Sequence, residues 1–297
     1  ERVNNFIERL LAREKHQVNA WELIGRLTNP VGFDQLPEHL QELIGTHAAG
    51  ETRLLGKRTG QMHLALASGE DDAFRPEPFS LHYQRSLYSH MQSLLREAFQ
   101  NLSRYQKKAG PELAKKTNLI LTNRSRLMEE MRRIYTKKLD VLKIRIHGNY
   151  NLSQVLLTGR DLAIQDFGGN AAHSYSERRL KRAAFRDVAS MVTSIYEVTL
   201  ESFRNNDHIS KETRSDLLPF SVLWAHYISG IFINSWKEAV RDSRLIPANP
   251  EELSMMLQNY LLLQNLEKLN FDINYNEEQT PASLNILLSL LKPEYQS

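Results

Sequence analysis

The sequence predicts a mainly α-helical chain built around one small β element. Three observations carry that expectation. Apolar residues recur at helical spacing over most of the 297 residues. Short β-prone runs are confined to residues 141–169. Helix-start chemistry punctuates the remainder, most clearly at Asn249-Pro250-Glu251-Glu252, where an N-cap Asn precedes a first-turn Pro and two acids. No repeat, low-complexity segment or linker divides the chain. It therefore reads as one domain over 1–297, with a helical part at 1–140, the β-hairpin region at 141–169 and a second helical part at 170–297.

In chain order, Phe6, Leu10 and Leu11 begin the first apolar stripe. The stretch "PEHLQELIGTHAAGETRLLGKRTGQMHLALASG" carries one or two helices, the last with Leu55, Thr59, Met62, His63 and Leu66 on one side. "LHYQRSLYSHMQSLLREAFQNLSRYQ" predicts another, and residues 112–139 one long helix through Ile120, Leu127, Met131, Ile134 and Leu139. Strand character begins at residues 141–146 and continues in "SQVLL" and "LAIQDF", the last two joined by a Thr158-Gly159-Arg160-Asp161 turn. Helix resumes at Asp187 with Val188, Met191, Val192, Ile195 and Leu200 inward. It continues through the Trp224–Trp236 region, and Thr280-Pro281 opens the last helix.

Composition excludes several functions. At 41% hydrophobic and 25% charged the chain is globular in type. It has no cysteine, so disulfides, thiolate catalysis and Cys-ligated zinc are excluded. With no signal-peptide core at the N-terminus, this points to the cytoplasm. The most apolar window, "LLPFSVLWAHYISGIFINSW", is broken by His226, Ser229 and Asn234 and reads as a buried helix, not a membrane span. The net charge of +3 is unevenly spread: residues 101–147 hold thirteen Lys/Arg against four Asp/Glu, and residues 251–297 hold two against seven. The basic run reads as a solvated helix face; a nucleic-acid-binding helical domain is the alternative, ranked low because aromatic interleaving and any known motif are missing.

The chemistry concentrates in "RIHGNYNLSQVLLTGRDLAIQDFGG". Phosphoryl transfer needs an orienting carboxylate beside the acceptor hydroxyl and divalent metal held against the phosphates. In kinase-fold phosphotransferases the orienting Asp follows a His by two residues, an amide ligand comes five residues later, and a second Asp ends the next hairpin. Here His147 leads to Asn149, Gln154 stands five residues on, and Asp166 precedes Phe167-Gly168. "GETRLLGKR" is no phosphate loop: five residues separate Gly50 from Gly56, and Arg58 stands where Ser or Thr would bind magnesium. It reads as helix interior.

The run "RIHGNYNLSQVLLTGRDLAIQDFGG…SERRLKRAAFRDVASM" resembles bacterial maltokinase and the kinase-like part of trehalose synthase–maltokinase fusions. "LLGKRTGQMHLALAS", "PEPFSLHYQRSLY" and "PANPEELSMMLQNYLLLQNLEKLNF" resemble further segments of it in the same order, covering residues 50–275. The resemblance implies the C-terminal lobe of a protein-kinase-like (aminoglycoside-phosphotransferase-like) fold. It also implies ATP and Mg as cofactors, an N-terminal lobe with the ATP-binding lysine lying before Glu1, and a fused or associated trehalose synthase as partner.

The departures from that family matter as much. Its loop reads His-Gly-Asp-x-His-x-Gly-Gln and its second motif Asp-Phe-Glu-Gly. Asn149 replaces the Asp, Asn151 the second His, Ser153 the Gly and Gly168 the Glu, while Gln154 and Asp166 remain as metal ligands. An amide carries no negative charge and is no base near neutrality. Where the family presents a Glu-Lys pair to the sugar, "LLLQNLEKLNF" offers Leu263-Gln264 and then Glu267-Lys268. The expected catalytic positions are thus His147, Asn149 and Asn151, with Asn149 inactive. The expected function is a degenerate maltokinase-like lobe, a pseudokinase or docking part in trehalose, maltose and α-glucan metabolism. The alternative is a weak or active maltokinase when joined to its N-lobe. Asp187 is expected to support the loop by accepting backbone or Arg hydrogen bonds. Arg178, Arg179, Lys181, Arg182 and Arg186 are expected to pair with local acids such as Glu177 and Asp187. His63 and His147 are expected to be hydrogen-bonded core residues, not ligands.

Overall fold

A computed structural model describes residues 1–12, 25–206 and 209–291, with the backbone alone at Lys211, Glu212 and Ser215. Helix α1 (Arg2–Leu11) is followed by a two-residue β-ladder, β1 (Gly25–Arg26) with β2 (Asn29–Pro30), then α2 (Glu38–Ile44) and α3 (Thr46–Ala67). Strand β3 (Glu77–Pro78) leads into α4 (Leu81–Gln106), α5 (Pro111–Thr122) and α6 (Arg124–Arg132). Then come β4 (Leu142–Lys143), β5 (Val155–Leu157) and β6 (Leu162–Ile164), and the chain closes with five helices: α7 (Tyr175–Arg178), α8 (Phe185–Arg204), α9 (Lys211–Val240), α10 (Pro250–Tyr275) and α11 (Thr280–Leu290).

The long helices form the body. Helix α9 packs on both α3 and α8, and α10 packs on α8, α4 and α11. Their starts are fixed locally: Ser80 Oγ accepts from Tyr83 N at 3.2 Å, Ser210 Oγ from Thr213 N at 3.2 Å, and Asn249 Oδ1 from Glu251 N at 2.8 Å. At the centre Phe185 lies edge-on to Trp236 (5.2 Å between centroids) and stacks on Tyr260 (5.8 Å). Such buried aromatics supply much of the burial energy, about 150–250 Å² each. The α3–α9 crossing is close because Gly56 and Gly60 carry no side chain. A Cβ on Gly56 would stand 2.5 Å from the Phe232 carbonyl, and one on Gly60 2.5 Å from Ala239 Cβ.

Several expectations change. Residues 112–139 are two helices, not one: Asn123 donates its amide to the Leu119 carbonyl at 2.8 Å, and that side-chain bond competes with the helix ladder. Of 141–146 only Leu142–Lys143 forms a strand. Its partner is Glu77–Pro78 just before α4, while β5 and β6 make a separate hairpin. Leu11 is exposed, and Val3, Phe6, Ile7 and Leu10 form the buried stripe of α1. Asp216–Val240 does meet the length and composition of a membrane span; here 67% of its apolar window is buried in the body. The lopsided charge is offset in part across the molecule, since two basic residues of the middle meet acids of the C-terminal segment. Lys137 pairs with Glu252 at 2.6 Å and Lys108 with Glu277 at 2.5 Å.

Candidate functional site

The 147–149 turn is built on a buried relay from three helices. The Asp187 carboxylate, near the start of α8, accepts from His147 N at 2.8 Å and Gly148 N at 2.9 Å. His63, on α3, lies 3.2 Å from the same carboxylate through Nε2, and Trp236, on α9, donates its indole N–H to His63 Nδ1 at 2.9 Å. An indole can only donate, so the hydrogen of His63 sits on Nε2 and points at Asp187. His63 is fully buried and Asp187 is 1% exposed. Gly148 adopts φ +78°, which its lack of a Cβ allows, and it abuts Gly169.

His147 organises the next layer. Its Nε2 lies 2.8 Å from the Gln165 carbonyl, and its Nδ1 accepts from Asn149 N at 3.3 Å. The ring packs between Tyr150 (5.2 Å) and Phe167 (4.9 Å). Tyr150 closes on α3 through a 2.7 Å bond to Thr59 Oγ1, whose own hydrogen goes to the Leu55 carbonyl. Burial raises the Tyr150 hydroxyl far above its ordinary range; the Thr59 bond opposes this and the Asp187 charge adds to it. Arg58 ties the hairpin turn to α3 through Asp161, with Nε to Oδ1 at 2.8 Å.

The remaining predicted residues serve local structure. Asn151 caps the turn at 152–154, accepting from Ser153 N at 2.9 Å and donating to the Asn149 carbonyl at 3.1 Å. The Gln154 main chain joins Gln165 (3.0 Å), while its side chain reaches only Ser153 Oγ at 3.5 Å. Asp166 is exposed in the left-handed region at φ 61°, and a Cβ at Gly168 would lie 3.3 Å from its Oδ1. Among the described residues no group of three or more His, Asp or Glu is placed to hold a metal ion. Gln154 and Asp166 offer one neutral and one charged ligand, a weak set for magnesium without phosphate oxygens and water to complete the shell.

The accessible chemistry lies beside this loop. A cleft of about 410 Å³ is bounded by Gly148 and Gly169, by Tyr83 and His90 of α4, and by Tyr260 and Glu267 of α10. Asn149, Asn151, Gln154 and Asp166 do not line it. Arg186 donates to both oxygens of Glu267 at 3.0 Å, and His90 lies 3.4 Å from Oε1. Burial pushes Glu267 upward, but His90 and Arg186 outweigh it and hold the carboxyl below the usual range. Burial likewise works against the Arg186 charge, and Glu267 more than offsets it.

Two residues of the basic cluster after the loop, Lys181 and Arg186, find distant acids in place of the local ones expected. Lys181 pairs with Glu77 at 3.1 Å and Arg186 with Glu267, while Glu177 is spent on capping its own helix at Ser174. Asp187 serves backbone, as expected. Sequence reasoning missed Tyr83, His90 and Tyr260. The available signal was a polar or aromatic residue recurring at i and i+7 on the otherwise apolar faces of α4 and α10.

No protein-family model matches the chain. Solved structures of glucosamine kinase do. One crystal form is 18% identical with a TM-score of 0.64, over 83% of this chain and 51% of that one. A complex with glucosamine, ADP and inorganic phosphate is 17% identical with a TM-score of 0.64, over 82% and 52%. A second crystal form is 17% identical with a TM-score of 0.63, over 86% and 54%. The chain spans about half the length of these structures. What is shared is the fold: a mostly helical, kinase-like architecture found in sugar kinases.

Proposed function

We propose that this chain is the acceptor-side C-terminal lobe of a sugar-kinase-like protein of the maltokinase type, and that it has lost phosphoryl transfer and acts as a binding or docking module. One observation carries the reading. The loop scaffold is complete, with Asp187 holding the His147 and Gly148 amides at 2.8 and 2.9 Å, yet the position that should orient the acceptor hydroxyl is Asn149. Losing such a group typically costs ~10²–10⁴ in rate. Gly168 in place of the family's acid supports the same reading. ATP, magnesium and a trehalose-synthase partner enter only through the sequence resemblance, as does a cytoplasmic setting.

The test is ADP release by the purified chain with ATP, magnesium and either maltose or glucosamine, beside an intact maltokinase. No turnover above background is expected, and turnover would overturn the reading. Co-purification with an α-glucan enzyme tests the docking role. A nucleic-acid role is disfavoured because the basic run lacks aromatic interleaving and any known motif, and two of its lysines are matched by Glu252 and Glu277.

A further inference from the structure

The cleft beside the loop runs into a second hollow. Tyr83, Ser86, Leu180 and Arg182 line both it and a neighbouring space of about 390 Å³. Four acids stand in the combined walls, and each is already committed. Asp72 pairs with Arg75 at 3.0 Å, Glu77 with Lys143 and Lys181 at 2.9 and 3.1 Å, and Glu267 with Arg186. Glu177 accepts from Ser174 N and Oγ at 2.9 and 2.8 Å.

Four guanidinium groups are left over. Arg145, Arg178, Arg179 and Arg182 have no ion-pairing carboxylate among the described residues. Arg178 Nη1 donates to the Gly168 carbonyl at 3.1 Å, Arg145 Nη1 lies 3.4 Å from the Arg178 carbonyl, and Arg179 sits over the Tyr175 ring at 5.4 Å. The Arg182 side chain makes no hydrogen bond among the described residues, and the charge of Glu177 acts on it at longer range. A second, independent feature points into the same space. Arg178, which lines the cleft, keeps its Nε buried without a hydrogen-bond partner among the described residues. Unsatisfied donors and uncompensated like charges are both costly, and one anion relieves both.

We propose that this trough binds a small phosphate monoester carried on a polyhydroxylated compound, a sugar phosphate in class. Guanidinium forks match the oxygens of a phosphate dianion two at a time. Tyr83, Ser86, His90 and Tyr260 supply the hydroxyl and imidazole groups a sugar ring needs, and the volume suits a small-molecule site. A continuous phosphodiester would meet Glu77, Glu177 and Glu267 in the walls, which favours a single dianion over nucleic acid. The proposal rests on reading the cleft as the ligand-facing side of a sugar-kinase fold. It holds whether or not phosphoryl is transferred.

The experiment is calorimetric titration of the chain with inorganic phosphate, glucose, glucose 6-phosphate, adenosine monophosphate and a short single-stranded oligonucleotide. Saturable binding of a monoester is expected, at least about tenfold tighter than glucose. Comparison of glucose 6-phosphate, adenosine monophosphate and inorganic phosphate identifies the carrier. Arg182→Gln and Arg178→Gln should each weaken binding about tenfold with the melting temperature unchanged. Should either variant unfold, the more peripheral pair Arg145→Gln with Arg179→Gln replaces it and should weaken binding in the same direction. Glucose binding as tightly as its phosphate, a preference for the oligonucleotide, no saturation to about 10 mM, or full affinity in folded variants would each overturn the proposal. ADP release from maltose would overturn the preceding reading and leave this titration untouched.

Discussion

His63 and Asp187, 124 residues apart, meet through a 3.2 Å contact between Nε2 and Oδ2 in the fully buried centre of the molecule. Trp236 fixes the imidazole from behind, so the carboxylate faces three donors at once: the His63 ring N–H and the backbone N–H groups of His147 and Gly148. The start of the loop is thereby held by α3, α8 and α9 as well as by the loop's own side chains. On the proposed reading, this is how the loop keeps its shape with Asn149 in place of an acid.

Asp187→Asn tests that dependence. An amide offers one oxygen where three donors require two, and it turns an N–H toward one of them. Stability should fall by about 2–4 kcal/mol, the cost of leaving a buried donor unsatisfied plus the loss of charge-assisted bonds. Denaturant unfolding followed by tryptophan fluorescence measures it. A change below about 0.5 kcal/mol would mean the relay is incidental.

The α3–α9 crossing gives an opposed pair of outcomes. Gly60→Ala should destabilise by about 1–3 kcal/mol, because its Cβ would fall 2.5 Å from Ala239 Cβ and overpack the crossing. Gly50→Ala, on the same helix with nothing within 4 Å, should instead stabilise by about 0.5–1 kcal/mol through helix propensity. Thermal melts of the two variants should therefore move in opposite directions.

Much of this was legible in the sequence, for a local reason. The α10 start follows from Asn249 as a cap and the α4 span from 3.6-residue periodicity, and Asp187 was identifiable as a loop support. What could not be read were contacts distant along the chain. Lys181 meets Glu77 104 residues away and Arg186 meets Glu267 81 residues away; no periodicity encodes such pairs, so the nearer Glu177 was assigned instead. The break at Asn123 was hidden for a different reason. An Asn fits helical spacing as well as any polar residue until its amide takes the i−4 carbonyl.

The Arg186–Glu267 pair predicts a pH dependence. The Glu267 carboxyl is held below its ordinary value of 4.5 in the folded protein. A depressed carboxyl contributes stability that is fully present above the unfolded-state value and lost as pH falls through the folded one. Glu267→Gln should therefore be less stable than the parent at neutral pH, by about 1–3 kcal/mol. The gap should hold above pH 4.5 and narrow progressively below it. Urea unfolding of both proteins at a series of pH values decides, and a gap independent of pH would show that the pair carries no linkage.

Restoring charge at the loop should restore metal binding before it restores catalysis. One imidazole, that of His147, spans from the Asn149 amide to the Gln165 carbonyl, so Asn149 and the Asp166 turn flank the same ring. A side chain at residue 168 would begin 3.3 Å from Asp166 Oδ1. Asn149→Asp with Gly168→Glu adds two carboxylates, one beginning beside Asp166 and one on the far side of the His147 ring. Like charges at that spacing repel, and a divalent cation relieves the repulsion. The parent should show negligible magnesium or manganese affinity, and chelator should leave its melting temperature unchanged. The double variant should bind manganese measurably and gain thermal stability from it in proportion to ligand excess, about 2.7 kcal/mol at a hundredfold excess over Kd. It should still release no ADP from maltose. Calorimetry of both proteins with manganese is the measurement. Equal and negligible affinity in the two would mean that Asn149 and Asp166 share ancestry with a metal site but no longer share a pocket.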